Sequence, residues 1–206
     1  MFARSTTIQI RQASIDDAIA HVRDSVLPEA LATDGCVGLS MLASRNDGRC
    51  IVTTAWRSEE LMHASAQAMG VVRQRVVDMF GGEPTVEEWE IGLVHREHRS
   101  HDGAAVRATW LRVKPEQLDR VVDIFKMTTL PALAEFDGFA SASLMLDRTT
   151  GRGVASIGYD SADAMRRLAE KASALRTTTL REAGAERLDT REFELAIAHL
   201  NVPEMA

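Results

Sequence analysis

Apolar and polar positions follow two periods along this chain, and the two alternate in a fixed order. Residues 6–12 alternate as a half-buried strand does, with Ile8 and Ile10 on one side. Ile15, Ile19, Val22, Val26 and Ala30 then recur at helical spacing and form one stripe. Ser14 stands in the N-cap position of that helix, and Asp16 and Asp17 fall in its first turn, where carboxylates complement the helix N-terminus. Two strands follow at 36–45 and 49–57 around the turn signal Asn46-Asp47-Gly48. Ser58 opens a second helix whose expected buried face is Leu61, Ala68, Val72 and Met79, and a fourth strand covers 85–96. The order is β-α-β-β-α-β.

The same passage is then written again. Sliding the chain by about 103 residues places Leu27-Pro28 over Leu130-Pro131, Asp34-Gly35 over Asp137-Gly138, Ser58 over Ser161 and Arg73 over Arg176. After one inserted residue, Glu88–His95 lies over Glu192–His199. The second copy predicts strands at 104–113, 139–148, 152–160 and 188–200, and a helix opened by Pro115 and carrying Leu118, Val122, Phe125 and Phe136. A period near 100 residues marks a duplicated domain, since solenoid repeats run to roughly 20–50 residues. The expected domains are 1–97 and 104–206, joined by the polar stretch 95–103. A four-stranded sheet with both helices on one face leaves the other face bare. Two such sheets remove that exposure by packing bare face to bare face, which predicts an internal pseudo-dimer.

Composition narrows the partners. The 206 residues are 45% hydrophobic and 26% charged, with a net charge of −6. That acidity argues against nucleic acid, whose phosphates require a basic surface. No stretch approaches the roughly 18 apolar residues of a membrane span, and the N-terminus lacks the apolar run of a signal peptide, so a cytoplasmic chain is expected. With Arg45 facing Arg49 across the hairpin, Cys50 falls opposite Ser44 and some eight residues from Cys36. At ~3.3 Å per residue that is roughly 26 Å, beyond the reach of a disulfide. Both cysteines are expected as free thiols.

Trp56 closes the third strand and Ser58-Glu59-Glu60 opens the next helix; Tyr159 and Ser161 repeat the arrangement. This pattern, present once per half, resembles the antibiotic-biosynthesis monooxygenase-like family. The resemblance implies ferredoxin-like domains. It makes the expected fold class α+β: two tandem ferredoxin-like βαββαβ domains forming an intramolecular pseudo-dimeric α+β barrel. That family includes cofactor-independent oxygenases of polycyclic aromatic compounds and haem-degrading oxygenases. The haem-degrading pattern wants an Asn in strand one, a Trp ending strand three and a His along helix two. Trp56 matches, and Gln9 stands nearest the Asn position. Ser65 and Ala66 occupy the ligand region of the first half, and Leu168 and Ala169 that of the second. Haem ligation of that type is not supported. His63 lies about 200° around the helix from Leu61, which predicts a solvated histidine, and His21 is read the same way.

Trp56 and Tyr159 are the candidate substrate-binding residues, each offering a flat apolar wall with one polar hydrogen. The plainer reading makes them core aromatics at the strand–helix junction. His95 and His199, equivalent residues of the fourth strands, are the candidate proton carriers; equally, each could simply finish its strand. His95, His98 and His101 are spaced three apart but sit at a strand end and in the joint, so no metal is expected. Glu90 and Glu194 are expected in structural ion pairs, with Arg11 and Arg112 as candidate partners. No phosphate loop, zinc-protease motif or nucleophile elbow occurs.

The resulting expectation is an oxygenase without cofactor, acting on a small or polycyclic phenol, quinol or anthrone-like compound, with the first half favoured to bind it. A non-enzymatic module for a lipophilic ligand or a partner is the alternative, with haem binding through another ligand a third. The fused chain is expected to be monomeric or weakly self-associating.

Overall fold

The computed structural model describes residues 1–204. The first repeat runs β1 (Phe2–Gln9), α1 (Ile15–His21), α2 (Leu27–Ala32), β2 (Cys36–Ala43), β3 (Arg49–Trp56), α3 (Glu59–Ala64), α4 (Ala66–Phe80) and β4 (Thr85–Arg96). The second runs β5 (Ala105–Arg112), α5 (Leu118–Ile124), α6 (Leu130–Ala134), β6 (Phe139–Asp147), β7 (Arg152–Tyr159), α7 (Ala162–Arg167), α8 (Ala169–Ala183) and β8 (Glu186–Leu200). Among the described residues no helix is long and apolar enough to cross a membrane.

The elements match the expected order, with local departures. Strand β1 begins four residues before the expected start at residue 6. Ser14 does not cap α1, because a 3-10 turn over Gln12–Ser14 delivers the chain to the helix instead. Ser58 and Ser161 do cap, accepting from the backbone N–H of Leu61 at 3.3 Å and of Ala164 at 3.1 Å. In both repeats the first helix widens into one π turn, Val22–Val26 and Phe125–Thr129, immediately before Leu-Pro. Pro28 and Pro131 bring no N–H and crowd the carbonyl one turn back, so the helix is relieved by a longer register. The N–H of Leu27 reaches the Val22 carbonyl, and that of Leu130 reaches Phe125.

The hairpin register differs by one residue from expectation. Cys50 pairs with Ala43, and the Ser44 N–H meets the Arg49 carbonyl at 2.8 Å. Gly48 makes the longer connection possible with φ of 80°, and a Cβ there would stand 2.1 Å from the Ile10 carbonyl oxygen. Gly151 repeats this against Val113 at 2.0 Å. Cys36 and Cys50 are free.

The chain packs as two compact units: Met1–Trp89 with Glu194–Val202, and Glu90–Phe193 with the residues from Pro203. In unit one, β3 pairs antiparallel with β1 and β2, and β2 also pairs with β8 from Ala43↔Glu194 onward. In unit two, β7 lies between β5 and β6, and β6 pairs with β4 from Glu90↔Leu146 to Arg96↔Ser141. The two fourth strands are long, 12 and 15 residues, so each contributes residues to both units. The repeat boundary near residue 100 is therefore a boundary of sequence similarity, while packing divides the chain inside β4 and β8.

Unit one packs Ile15, Val22, Val26 and Ala30 against Leu39, Met41 and Trp56. Its second-helix face is Met62, Ser65, Met69 and Val72, and the expected Ala68 and Met79 are exposed. The chain interrupts its helix at Ser65, between α3 and α4, and this resets the buried face. Unit two packs Leu118, Val121, Phe125 and Leu133 onto Leu144 and Leu146. Each such fully buried side chain contributes about 1.5–3 kcal/mol of transfer free energy.

Candidate functional site

Each unit buries an arginine on its first strand. Arg4 of β1 and Arg107 of β5 are equivalent in the repeat and are 5% and 6% exposed. A buried guanidinium is tolerated only when its hydrogens are paired. Arg4 meets that requirement on every side: Nε donates to Glu88 at 2.9 Å, Nη1 to Ser65 Oγ at 2.9 Å, and Nη2 to the Met62 carbonyl at 2.7 Å. Glu88 also holds His63 at 3.0 Å. Arg107 keeps the carboxylate, with Nη2 at 2.7 Å from Glu192, and the carbonyl of Met165 at 3.3 Å. Leu168 replaces Ser65, however, and Nη1 turns to the hydroxyl of Tyr159 at 3.4 Å.

In unit two this arginine borders a cavity of about 60 Å³ that is partly open to solvent. Its sheet wall comes from β5 and β7, and its helical wall from α5, the following π turn and α8. Thr129 on the π turn bonds Thr179 on α8 at 2.7 Å, tying the two helical sides together. Most of the lining is apolar; the ionisable groups that reach it are Arg107, Tyr159 and Arg176. The Tyr159 ring is 0% exposed, and burial pushes its phenol above the usual range, with Arg107 opposing the shift. Burial, and then the like charges of Arg107 and Arg187, hold the Arg176 guanidinium below its ordinary value. At ~10–15 Å³ per water, this space takes a few waters, and it is smaller than the ~150 Å³ in which benzene binds an engineered cavity.

Of the expected binding residues, Tyr159 lines this cavity, while Trp56 is fully buried in the core of unit one. The Trp56 N–H donates to Thr54 Oγ1 at 3.0 Å. His95 is stacked on Phe139 with ring centroids 6.1 Å apart, and its nitrogens face Glu204 at 2.9 Å and Glu97 at 3.4 Å. His199 is exposed on β8. Neither histidine lines the cavity. His98 and His101 turn to Asp160, at 2.6 and 3.8 Å, away from the partners of His95.

Glu90 and Glu194 do form ion pairs, but with different arginines from those expected. Glu90 pairs with Arg148, and Glu194 pairs with Arg45 at 2.6 Å. Arg45 and Arg148 follow β2 and β6, from where each reaches both a fourth-strand glutamate and Asp16 or Asp119 of the first helix, at 2.9 Å. His21 also departs from expectation, being half-buried against Phe80 at 5.9 Å. Arg107, Glu192 and Arg176 escaped the sequence reading. Arg107 alone carried the signal of a charged residue recurring in register, with Arg4, within an apolar strand, while Arg176 on a helix and Glu192 in the polar part of β8 did not.

No family model matches the chain. It is 53% identical over 205 residues to the uncharacterized protein Rv2557 of Mycobacterium tuberculosis (strain ATCC 25618 / H37Rv), covering all of this chain and 92% of that one. It is 52% identical over 206 residues to Rv2558 of the same strain, covering 87% of that protein. Among solved structures, an anthrone oxidase-like protein superposes with a TM-score of 0.66 at 12% identity, over 94% of this chain and 90% of its own. An uncharacterized ferredoxin-fold protein related to antibiotic biosynthesis monooxygenases, from Listeria monocytogenes 4b F2365, gives 0.52 at 9% identity over 95% of both chains. The chain thus belongs to the family of the mycobacterial proteins Rv2557 and Rv2558, and its fold is that of the antibiotic-biosynthesis monooxygenase-like proteins.

Proposed function

We propose that this protein is a monooxygenase-like enzyme that needs no bound cofactor and acts on a small phenol- or quinol-like compound held in the unit-two cavity. The observation that carries the reading is the cavity itself: an apolar slot bordered by Arg107, Tyr159 and Arg176. The anthrone oxidase-like neighbour supports the same chemistry by fold. The guanidinium charges favour the ionised form of a bound phenol or enol, against the burial that raises the Tyr159 phenol, and the electrons of that anion then pass to dioxygen. One oxygen atom enters the substrate, and the other leaves as water with two substrate hydrogens, so the substrate supplies all the electrons. Arg107 and Arg176 stabilise the oxyanion, Tyr159 orients it, and the proton leaves to solvent at the open side.

The volume of about 60 Å³ selects between substrate sizes. At this size a single ring enters only in part, from the mouth, whereas a tricyclic anthrone would require the helical wall to move. The pairing of both repeats into one pseudo-dimeric barrel belongs to this proposal. It is supported by the long β4 and β8, each of which pairs with a strand of the other repeat.

Oxygen uptake by chelator-treated protein, with labelled dioxygen and a panel of monocyclic quinols and phenols, is the test. Uptake that depends on protein, with one labelled atom in the product, is the expected result. Uptake no faster than without protein overturns the enzymatic reading. A binding module is then favoured by one observation: no carboxylate or imidazole is among the cavity-lining residues.

A further inference from the structure

We infer that Arg176 is the anion-binding group of the cavity, and that the natural ligand is a small aromatic compound carrying a carboxylate. The inference rests on the cavity being a binding site, as proposed above. Arg176 stands on α8, one of the cavity walls. Its Nε is covered from solvent and has no hydrogen-bond partner among the described residues. Its Nη2 makes a single long bond of 3.3 Å, to Ser173 Oγ. A covered N–H of this kind normally has a partner, because leaving it unpaired costs about 1–3 kcal/mol, more when the group is charged.

The charges around it sharpen the point. Arg107 is already committed to Glu192 by two hydrogen bonds, and that carboxylate is not part of the cavity lining. Arg187 adds a third cation whose field Arg176 feels, and the carboxylate that opposes these charges is the same Glu192, while Tyr159 is a buried neutral phenol. The cluster is therefore short of negative charge where it borders an apolar slot. A carboxylate offers two oxygens to the Nε–Nη2 edge of a guanidinium, a bidentate match that a neutral hydroxyl cannot make, and the covered Nε joins it when the side chain turns that edge to the slot. Its ring would lie against apolar lining residues such as Leu175 and Ile157.

The first unit shows what the same scaffold does without this demand. There Ser65 occupies the place of Leu168, and Arg4 is paired on all three nitrogens. The second unit has lost that hydroxyl and opened a slot beside its arginines.

The test is equilibrium binding of benzoate, benzamide and phenol to the purified full chain, measured calorimetrically without reference to turnover. Benzoate is expected to bind at least about tenfold more tightly than benzamide, the equivalent of roughly 1.4 kcal/mol. Arg176→Gln is expected to abolish that preference, and Arg176→Lys to restore part of it. If Arg176→Gln binds benzoate as tightly as the parent, the assignment of Arg176 is overturned. If benzoate and benzamide bind alike to the parent while phenol binds, the carboxylate class fails and the cavity reading survives. If none of the three binds, both fail. An unchanged melting temperature confirms that the variants are folded.

Discussion

Removing either partner of the Arg107–Glu192 pair should have unequal consequences, and the asymmetry can be worked from exposure. The Arg107 side chain is 7% exposed and that of Glu192 is 49% exposed. Glu192→Ala leaves a buried guanidinium with the Met165 carbonyl at 3.3 Å and the Tyr159 hydroxyl at 3.4 Å, both long bonds. Stranding a buried charge costs about 3–5 kcal/mol; the half-exposed edge through which water could enter reduces this to about 2–3. Arg107→Met removes the buried charge and fills its place with an apolar chain, while Glu192 turns into solvent. Its loss is the net value of a few hydrogen bonds less the apolar gain, about 0–1.5 kcal/mol. Urea unfolding of both single variants and the double variant measures each term. The double variant should resemble Arg107→Met to within about 0.5 kcal/mol, because without the cation nothing buried depends on Glu192. If Arg107→Met is the more destabilising single change, the desolvation argument for this pair is wrong.

Further tests address other parts of the molecule. Gly151→Ala should lower the melting temperature by several degrees, because it combines positive φ with a backbone clash at 2.0 Å; Gly103→Ala, with positive φ in open space, should cost only about 1 kcal/mol. Equal losses would show that the close approach to Val113 does not matter. Tyr159 is the sole tyrosine, so absorbance near 295 nm reads it alone, and its ionisation in the folded protein should begin at higher pH than in the unfolded chain. Coincident midpoints would mean that the phenol is not desolvated. The Cys50 thiol is pushed up to about 11, chiefly by burial. The folded state therefore holds this proton more tightly than the unfolded state. The associated stability is complete below about pH 8.5 and fades as pH rises towards 11. A thiol reagent at pH 8 should label Cys36 first and Cys50 only after denaturant; rapid labelling of both would contradict the burial.

The first helix stripe, the second-repeat strands and the caps at Ser58 and Ser161 were all readable in the chain, since each depends on residues a few positions apart. The face of the second helix was not. One residue, Ser65, leaves the helical register, and a periodicity counted across that break names Ala68 and Met79, which are exposed. The ion pairs show a similar limit. That Glu90 and Glu194 would need arginines followed from strand alternation, but choosing Arg148 and Arg45 required knowing how far a side chain beside a turn can reach.

Periodicity and turn residues therefore determined by themselves the order β-α-β-β-α-β in each half of the chain, because those signals are local and survive in one dimension. Tertiary structure decided which of its charges are buried. Arg107 and Glu192 are 85 residues apart along the chain, and nothing local pairs them. Burial makes one a desolvated cation. The same packing leaves the Arg176 Nε without a partner among the described residues and opens a slot beside Tyr159 while closing the core of unit one around Trp56. Those outcomes turn on which side chains fill a volume of about 60 Å³, a quantity that exists only once the helices are seated on the sheet.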